Sequence, residues 1–278
     1  MRTRLAPALL AASMLVPAAA LAADLPSRMP SMVEAPPPSS GYIVTISGDI
    51  QAVPSYPGSD KYTGVFYPSI SYRRVGEPER FSAPDDGISI AVFETANLRI
   101  GPVARIETGR FLQDDRRLFG LHKVPFDVEL GGFVEYWPVS FLRARLEVRH
   151  GVRDDIGFAG TAGLDFVQRA GRFTFSLGPR VNFADDDYVR TYYGVTPAEA
   201  ALNSRVYPFR PRGGITSAGA LASVMYRWNE TWATTAYVGY NRLLGDVADS
   251  PIVTRIGSEH QLLVGAGVSY SFNFNPPW

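Results

Sequence analysis

An alternating segment near the end of the sequence places the strongest constraint on what this chain can fold into. Its apolar positions are Leu262, Val264, Ala266, Val268, Tyr270 and Phe272, and the positions between them are Leu263, Gly265, Gly267, Ser269 and Ser271. One face is therefore apolar, whereas the other is mostly small or hydroxylated. A strand of about 9 to 11 residues with this period can cross a bilayer within a closed β-barrel. The segment predicts an outer-membrane barrel.

The N-terminal residues predict export from the cytoplasm. Arg2 and Arg4 precede an apolar stretch at residues 5–16, and Ala20-Leu21-Ala22 has the small residues of a cleavage site. We interpret residues 1–22 as a secretory signal peptide. No later stretch reaches the ~18 continuous apolar residues of a spanning helix, so a chain held in a membrane must cross it as strands. A soluble periplasmic sandwich is the alternative, which the repeated alternation disfavours.

Composition restricts the classes of partner and site. The chain has 27 basic and 27 acidic residues, so no net charge attracts nucleic acid, and it has no cysteine for a disulfide or a thiolate metal site. Only 46% of the residues are hydrophobic, and the mean hydropathy is −0.04. These values are expected for a barrel in which half of each strand faces lipid and half faces the lumen.

Residues 23–40 form a proline-rich lead-in without strand pattern. Pro26, Pro30 and Pro36-Pro37-Pro38 favour a stiff, extended segment in the periplasm. A spacer is the simpler interpretation, and docking on a partner is the alternative. The predicted barrel domain then occupies residues 41–278.

From Gly41 onward, periodicity and turn residues predict an all-β, antiparallel transmembrane barrel of twelve strands. The strands are expected at residues 41–53, 64–74, 79–84, 87–94, 97–109, 125–137, 141–151, 157–169, 172–184, 214–228, 232–244 and 260–273. In barrels of this kind the short connections are periplasmic turns and the long ones are extracellular loops.

The strand count depends on residues 79–94. If both ends of the barrel domain are periplasmic, the short turn at residues 95–96 requires an even number of strands before it. Residues 79–94 must then hold two short strands around Pro84-Asp85-Asp86-Gly87. A barrel of ten strands is the alternative.

Charged residues occupy one face of several predicted strands. Each charge on a lipid-facing side would cost about 2 to 4 kcal/mol at mid-bilayer, so these residues are expected to point into the lumen. The predicted lumen charge ladder consists of Asp127, Glu129, Glu135, Arg143, Arg145, Glu147, Arg149, Arg99, Arg105, Glu107 and Arg180. The ladder suits either structural packing or a small selective pore. Packing is preferred because twelve strands enclose a modest lumen.

The turn between two of these strands predicts their register. A three-residue turn at residues 138–140 would place Glu135 opposite Arg143 and Glu129 opposite Arg149. Oppositely charged neighbours would then face each other across the ladder.

The sequence contains no catalytic constellation, cofactor motif or metal-ligand spacing above background. Its three histidines, His122, His150 and His260, fall near predicted strand ends or outer loops. We therefore predict a protein that is not an enzyme and binds no cofactor or metal. Acidic runs such as Asp185-Asp186-Asp187 are expected to form turns and helix caps, although their oxygen ligands would also suit Ca²⁺.

The long loop at residues 185–213 is expected to be ordered. Thr196 can cap a short helix that starts at Pro197 and has Glu199 at its third position. The candidate loop contacts are Asp186, Tyr188, Tyr192 and Tyr193. The aromatic rings would either pack over the barrel mouth or contact a partner, and mouth packing is the more conservative interpretation.

Several segments resemble one known family. The stretch from Asp185 reads Asp-Asp-x-Tyr-x-x-Thr-Tyr-Tyr-Gly-Val-Thr-Pro-x-x-Ala, and residues 54–60 and 243–251 agree in order and spacing. Together they resemble the signature of the MipA/OmpV family of outer-membrane proteins, the MltA-interacting proteins. The resemblance covers residues 41–272. The sequence departs from the family in having Asn273 to Trp278 after the usual terminal aromatic residue, Phe272.

The resemblance implies a non-enzymatic scaffold in the outer membrane of a Gram-negative cell. Such a scaffold would hold a murein-cleaving lytic transglycosylase beside a penicillin-binding protein during cell-wall growth. The family supplies no catalytic residues. A small channel, and a surface adhesin or antigen acting through the outer loops, are the alternatives.

Overall fold

The computed structural model describes residues 41–153 and 156–275. The predicted signal peptide at 1–22, the lead-in at 23–40 and Trp278 lie outside the described residues. Within them, twelve strands form a single antiparallel sheet that curls into a nearly closed barrel. The predicted fold class, an all-β barrel of twelve antiparallel strands, is confirmed.

Most strand bounds lie within two residues of those predicted from periodicity. The strands are β1 (Tyr42–Pro54), β2 (Tyr62–Arg74), β3 (Ile88–Ser89), β4 (Phe93–Glu94), β5 (Leu98–Glu107), β6 (Asp127–Val139), β7 (Leu142–Gly151), β8 (Phe158–Ala170), β9 (Phe173–Ala184), β10 (Gly214–Arg227), β11 (Trp232–Leu243) and β12 (His260–Phe274). The helices are α1 (Asp186–Tyr193), α2 (Pro197–Leu202) and α3 (Gly245–Asp249). Among the described residues, no helix has the length and apolarity that crossing a membrane requires.

Pairing of the first and last long strands brings the two edges of the sheet together. β1 pairs with β12, from Tyr42 opposite Phe274 to Ala52 opposite Val264. The hydrogen-bonded order is β2-β1-β12-β11-β10-β9-β8-β7-β6-β5-β3, and β4 also pairs with β5. The described residues form no ladder between β2 and β3, so the wall has one seam there.

Alternation along each strand separates a lipid face from a lumen face. On β7, Leu146 and Val148 are 43% and 40% exposed, whereas Arg145 and Glu147, which alternate with them, are 7% and 2% exposed. On β12, Leu262, Val264, Val268 and Tyr270 of the predicted apolar face are likewise exposed, whereas Phe272 is half-buried. Apolar side chains on the outer surface and charges inside are the arrangement that a bilayer imposes.

Residues 75–87, which we call the strap, replace a wall strand. The predicted strand at 79–84 is wrong, because these residues lie in the lumen and have no strand pairing. Both β3 and β4 fall within the predicted strand at 87–94, and both pair with β5. Pro78 and Pro84 lack the donors that a ladder needs, and the strap's charges would face lipid in a wall position. The number of strands is as predicted, but their positions differ here.

The predicted register of β6 and β7 is also wrong, by two residues. The turn consists of Ser140 and Phe141, and an irregularity in pairing falls between Tyr136 and Val139. As a result, Glu135 lies opposite Arg145. A bulge of this kind adds residues to one strand and cannot be recognised from the period of the sequence alone.

The long connections pack together at one end of the barrel, which we call the long-loop end. They form the cap, which consists of residues 55–61, 108–126, 152–153, 156–157, 185–213 and 244–259. The cap has its own apolar core, formed by residues such as Tyr56, Leu118, Val189, Tyr192, Val247 and Ile252. The opposite end, the turn end, has short connections apart from the strap, such as that at Gly171, whose φ of 59° suits glycine. One end of the barrel therefore has a packed cap, and the other has mostly short turns.

A charge on the lipid face should destabilise the barrel according to its depth. Leu146→Arg, near the middle of β7, is expected to lower the free energy of unfolding by about 2 to 4 kcal/mol. Val139→Arg, at the turn end of β6, should lower it by no more than ~1 kcal/mol, since the interface solvates the guanidinium. Denaturant titration of the protein folded into lipid vesicles measures both values. Equal losses at the two positions would contradict the assigned bilayer depth.

Candidate functional site

The lumen contains a continuous network of arginines and carboxylates, which we call the lumen network. Its arginines are Arg99 and Arg105 on β5, Arg143, Arg145 and Arg149 on β7, and Arg180 on β9. Its carboxylates are Glu129 and Glu135 on β6, Glu147 on β7, Asp165 on β8, and Asp85 and Asp86 on the strap. The structure thus brings together every member of the predicted ladder except Glu107 and Asp127.

Arg143 is the centre of the network and is 1% exposed. Its Nη2 lies 2.9 Å from Glu135 Oε2 and 2.5 Å from Asp86 Oδ2, and its Nη1 lies 2.8 Å from Asp165 Oδ2. The guanidinium carbon also lies 5.6 Å from the centre of the Phe81 ring on the strap. Three carboxylates from three parts of the chain therefore share one buried cation, which ties the strap to β6 and β8.

A second set of ion pairs continues along β7. Arg145 Nε and Arg149 Nη1 each lie 2.8 Å from an oxygen of Glu147, while Arg149 Nε lies 2.9 Å from Glu129 Oε2. Arg145 Nη1 also lies 3.0 Å from Glu135 Oε2. Long side chains reach diagonal neighbours across a ladder, so Glu129 and Arg149 meet even though they are not opposite each other.

The end of the strap contributes two carboxylates that the wall lacks. Asp85 accepts two hydrogen bonds from the Arg180 guanidinium, with Oδ2 2.7 Å from Nε and Oδ1 3.1 Å from Nη2. Its backbone carbonyl accepts a third bond from Arg105 Nη2 at 2.5 Å. Asp86 Oδ2 accepts from the Ala83 backbone N–H at 2.9 Å, which closes a tight turn. Both strap carboxylates are therefore held by arginines of the barrel wall.

The network balances its charges only when the strap is included. Six arginines face six carboxylates, of which the strap supplies Asp85 and Asp86. The cavity left among these side chains has a volume of about 10 Å³, which is room for about one water molecule. The lumen is therefore filled at this level by paired charges.

Two predicted ladder residues lie apart from the network. Glu107 and Asp127 are opposite each other at the long-loop end of β5 and β6, and neither forms an ion pair among the described residues. Asp127 is 3% exposed, and its Oδ2 has no hydrogen-bond partner. No group of three or more histidine or carboxylate side chains in the described part of the chain is arranged to hold a metal ion.

The lumen network fills only one side of the lumen. Along β12, β1 and β2 many of the inward-facing residues are small or hydroxylated, with Asp49 and Gln51 as larger polar residues among them, and most remain partly or fully exposed. Thr45 and Ser271 share a hydrogen bond of 2.7 Å there, while Ser69 and Ser71 are exposed. A polar, accessible side of the lumen therefore lies beside the charged and packed side.

Removal of a central wall carboxylate should destabilise the barrel strongly. Glu135→Leu leaves Arg143 and Arg145 with fewer partners in a buried site, and the expected loss is about 3 to 5 kcal/mol of unfolding free energy. The matched control is Glu259→Leu, which removes an exposed pair with Arg242 and should cost no more than ~1 kcal/mol. Unfolding in denaturant, followed by the heat-dependent gel mobility of the barrel, measures both. A loss for Glu135→Leu as small as that of the control would refute a structural role for the network.

The predicted loop contacts lie in the cap. Tyr192 and Tyr193 are 1% and 5% exposed in its apolar core, and Tyr188 packs against the same core. The alternative in which these rings contact a partner is therefore wrong for Tyr192 and Tyr193, because burial leaves neither accessible. Asp186 is partly exposed, accepts a 2.7 Å hydrogen bond from the Gly213 backbone N–H and pairs with Arg190. Tyr188, Tyr192 and Tyr193 thus pack in the core of the cap.

The predicted capped helix is present and anchors the cap. Thr196 and Glu199 form a capping box at the start of α2, which confirms the prediction from the sequence. Glu199 Oε1 also accepts the His122 backbone N–H at 2.6 Å and lies 2.6 Å from the His122 ring Nδ1. Burial alone would raise the pKa of Glu199, but hydrogen bonds from Thr196 and His122 outweigh it and lower the pKa to about 2. The ionised carboxylate therefore joins α2 to the loop between β5 and β6.

The depressed pKa of Glu199 predicts a pH dependence of cap stability. A carboxyl group whose folded-state pKa lies below its ordinary value stabilises the fold at higher pH, and this contribution is lost as pH falls from about 4.5 towards 2. Glu199→Gln should therefore speed hydrogen exchange of the α2 and 118–124 amides at pH 7, after correction for intrinsic rates. The difference from wild type should shrink as pH falls through this window. A difference that is independent of pH would contradict the role of the ionised carboxylate.

Three residues of the network were missed in the sequence. Asp165 follows the lipid-facing Leu164 on β8, so strict alternation could have identified it as an inward carboxylate. Asp85 and Asp86 were assigned to a turn between two wall strands, and only the path of the strap brings them to Arg180 and Arg143. Local sequence contains no signal for that path.

Comparison with known proteins identifies the family. The family model described as MltA-interacting protein MipA matches residues 46–272. The chain belongs to the MipA family. Outer membrane protein OmpV of Vibrio cholerae serotype O1 and outer membrane protein Omp26La of Vibrio anguillarum are each 36% identical to it over 92 residues. Each match covers 33% of this chain and 34% of the relative, so the chain aligns with about a third of the length of these MipA-family relatives.

Solved structures similar to this MipA-family barrel are outer-membrane barrels of low sequence identity. An outer membrane channel from Pseudomonas putida F1 is 10% identical, with coverage of 88% of this chain and 100% of that chain and a TM-score of 0.42. The KdgM porin is also 10% identical, with coverage of 83% and 99% and a TM-score of 0.35.

Proposed function

We propose that this chain is a non-enzymatic scaffold of the outer membrane that binds enzymes of murein processing. The observation that carries the proposal is the partial obstruction of the lumen, since the strap and the lumen network fill one side of it and the cap packs over the long-loop end. A wall that encloses packed charges rather than a free conduit suits a structural platform better than an open porin. The small-channel alternative is weaker for the same reason.

The name of the family supports the class of partner. MipA is described as an MltA-interacting protein, and we extend that interaction to this chain as a proposal. The partners would be a lytic transglycosylase and a penicillin-binding protein, both of which act on murein in the periplasm. In barrels of this kind the short turns face the periplasm. The binding surface would therefore comprise the turn end together with the lead-in at residues 23–40.

Crosslinking in intact cells tests the scaffold. The full chain, carrying an affinity tag, is crosslinked, purified from outer membranes and analysed for bound proteins. We expect a lytic transglycosylase and a penicillin-binding protein, both absent from a control barrel. A matched variant lacking residues 26–39 tests the lead-in, and full retention of both enzymes would reduce that segment to a spacer.

Failure to recover either enzyme with the wild-type chain would refute the proposed function. In that case the cap becomes the better candidate for a functional surface. Phe119 and Leu202, which are 62% and 65% exposed on it, offer apolar contacts to a partner outside the cell.

A further inference from the structure

We propose that the strap tip is a displaceable internal ligand of an anion-binding site in the lumen. We define the strap tip as residues 84–87. In its place, small solutes that carry carboxylate or phosphate oxygens bind to the arginines of the wall. The proposal goes beyond the scaffold role and does not depend on any protein partner.

The wall alone forms a site with excess positive charge. The small cavity of the lumen network is lined by four arginines, Arg105, Arg143, Arg145 and Arg180, and by the wall carboxylates Glu147 and Asp165. The strap tip adds Asp85 and Asp86, so that four arginines and four carboxylates line the cavity. Without the tip, the residues that line the cavity carry two net positive charges, and Glu135, which contacts Arg143 and Arg145, offsets only one of them. Three of these arginines are nearly buried. Buried charges of this kind require an anion.

The geometry of the strap carboxylates is that of a bound ligand. Asp85 accepts a bidentate pair of hydrogen bonds from Arg180, and Asp86 Oδ2 lies 2.5 Å from Arg143 Nη2. Guanidinium groups bind carboxylates and phosphates through this same fork of two N–H donors. A solute with such oxygens can therefore replace the strap tip without any change in the chemistry of the site.

Departure of the strap tip disturbs little of the barrel. Residues 84–87 belong to no strand, so no ladder hydrogen bond of the wall is lost. The backbone contacts of the tip to the wall are the Gly87 N–H to Glu147 Oε1, at 3.1 Å, and the Asp85 carbonyl to Arg105. The apolar part of the strap packs separately against β8, β10 and β11 through Phe81, whereas Ala83 borders the tip and is joined to it by the hydrogen bond from its N–H to Asp86. The wall can therefore persist while the tip moves.

Solutes can reach the site from the polar side of the lumen. The side chains of Asp85 and Arg105 are 23% and 25% exposed, in contrast to Arg143 and Asp165 at 1% and 2%. One strap carboxylate, Asp85, and one wall arginine, Arg105, thus form the exposed edge of the cavity. An incoming anion would first meet Arg105 and then compete with Asp85 for Arg180.

A single thiol on the strap reports release of the tip. The chain has no cysteine, so Ala83→Cys introduces one unique thiol at a position that is 4% exposed. The rate of its reaction with a small, water-soluble methanethiosulfonate is measured on the full chain in lipid vesicles. The heat-dependent gel mobility of each variant shows that the barrel is folded.

Charge removal at the strap tip should release it. Asp85→Asn with Asp86→Asn, in the Ala83→Cys background, is expected to raise the labelling rate at least about tenfold, because two charge-assisted contacts are lost. The matched control is Asp187→Asn with Asp249→Asn, which removes two cap carboxylates and should leave the rate unchanged. Equal rates for the strap variant and its control would overturn the proposal.

Inorganic phosphate then tests the anion site itself. In the Ala83→Cys protein with the native strap, phosphate should accelerate labelling relative to chloride at equal ionic strength. The increase should reach about twofold when phosphate equals its dissociation constant for the vacated site. In the Asp85→Asn, Asp86→Asn variant, calorimetry should detect phosphate binding that Arg180→Gln weakens. A released strap without phosphate binding would show that the strap is structural only, and would refute the anion site.

Discussion

The bilayer does not solvate charges or unpaired backbone groups, and the rest of this structure depends on that constraint. A chain that crosses as strands must pair its backbone between neighbours and turn its charges inward. Once inward, the arginines of β5, β7 and β9 are crowded into a narrow lumen, where each needs a carboxylate partner. β7 shows this requirement in its alternation, because Leu146 faces lipid and Arg145 faces the lumen.

The strap satisfies the same constraint by folding into the lumen instead of forming a wall strand. Its prolines and charges are unsuited to a lipid-facing strand, but they are well placed in a lumen rich in arginine. By folding inward it leaves the seam between β2 and β3, and it brings Asp85 and Asp86 to the lumen network. One segment therefore both interrupts the wall and completes the charge balance of the interior.

The cap distinguishes this MipA-family barrel from a simple pore. Its loops share an apolar core, and Glu199 joins two of them through hydrogen bonds to Thr196 and His122. The cap covers the long-loop end, and the strap and the lumen network fill one side of the lumen.

The barrel, most of its strands and the inward direction of its charges can be predicted from the sequence, because they follow from a period of two and from the cost of charge in lipid. The sequence also predicts the cap of α2, since Thr196, Pro197 and Glu199 form a local motif. Three features appear only in the folded barrel: the path of the strap, the bulge that shifts Glu135 opposite Arg145, and the burial of Tyr192. These features depend on contacts between residues far apart in the chain, and no local pattern encodes them.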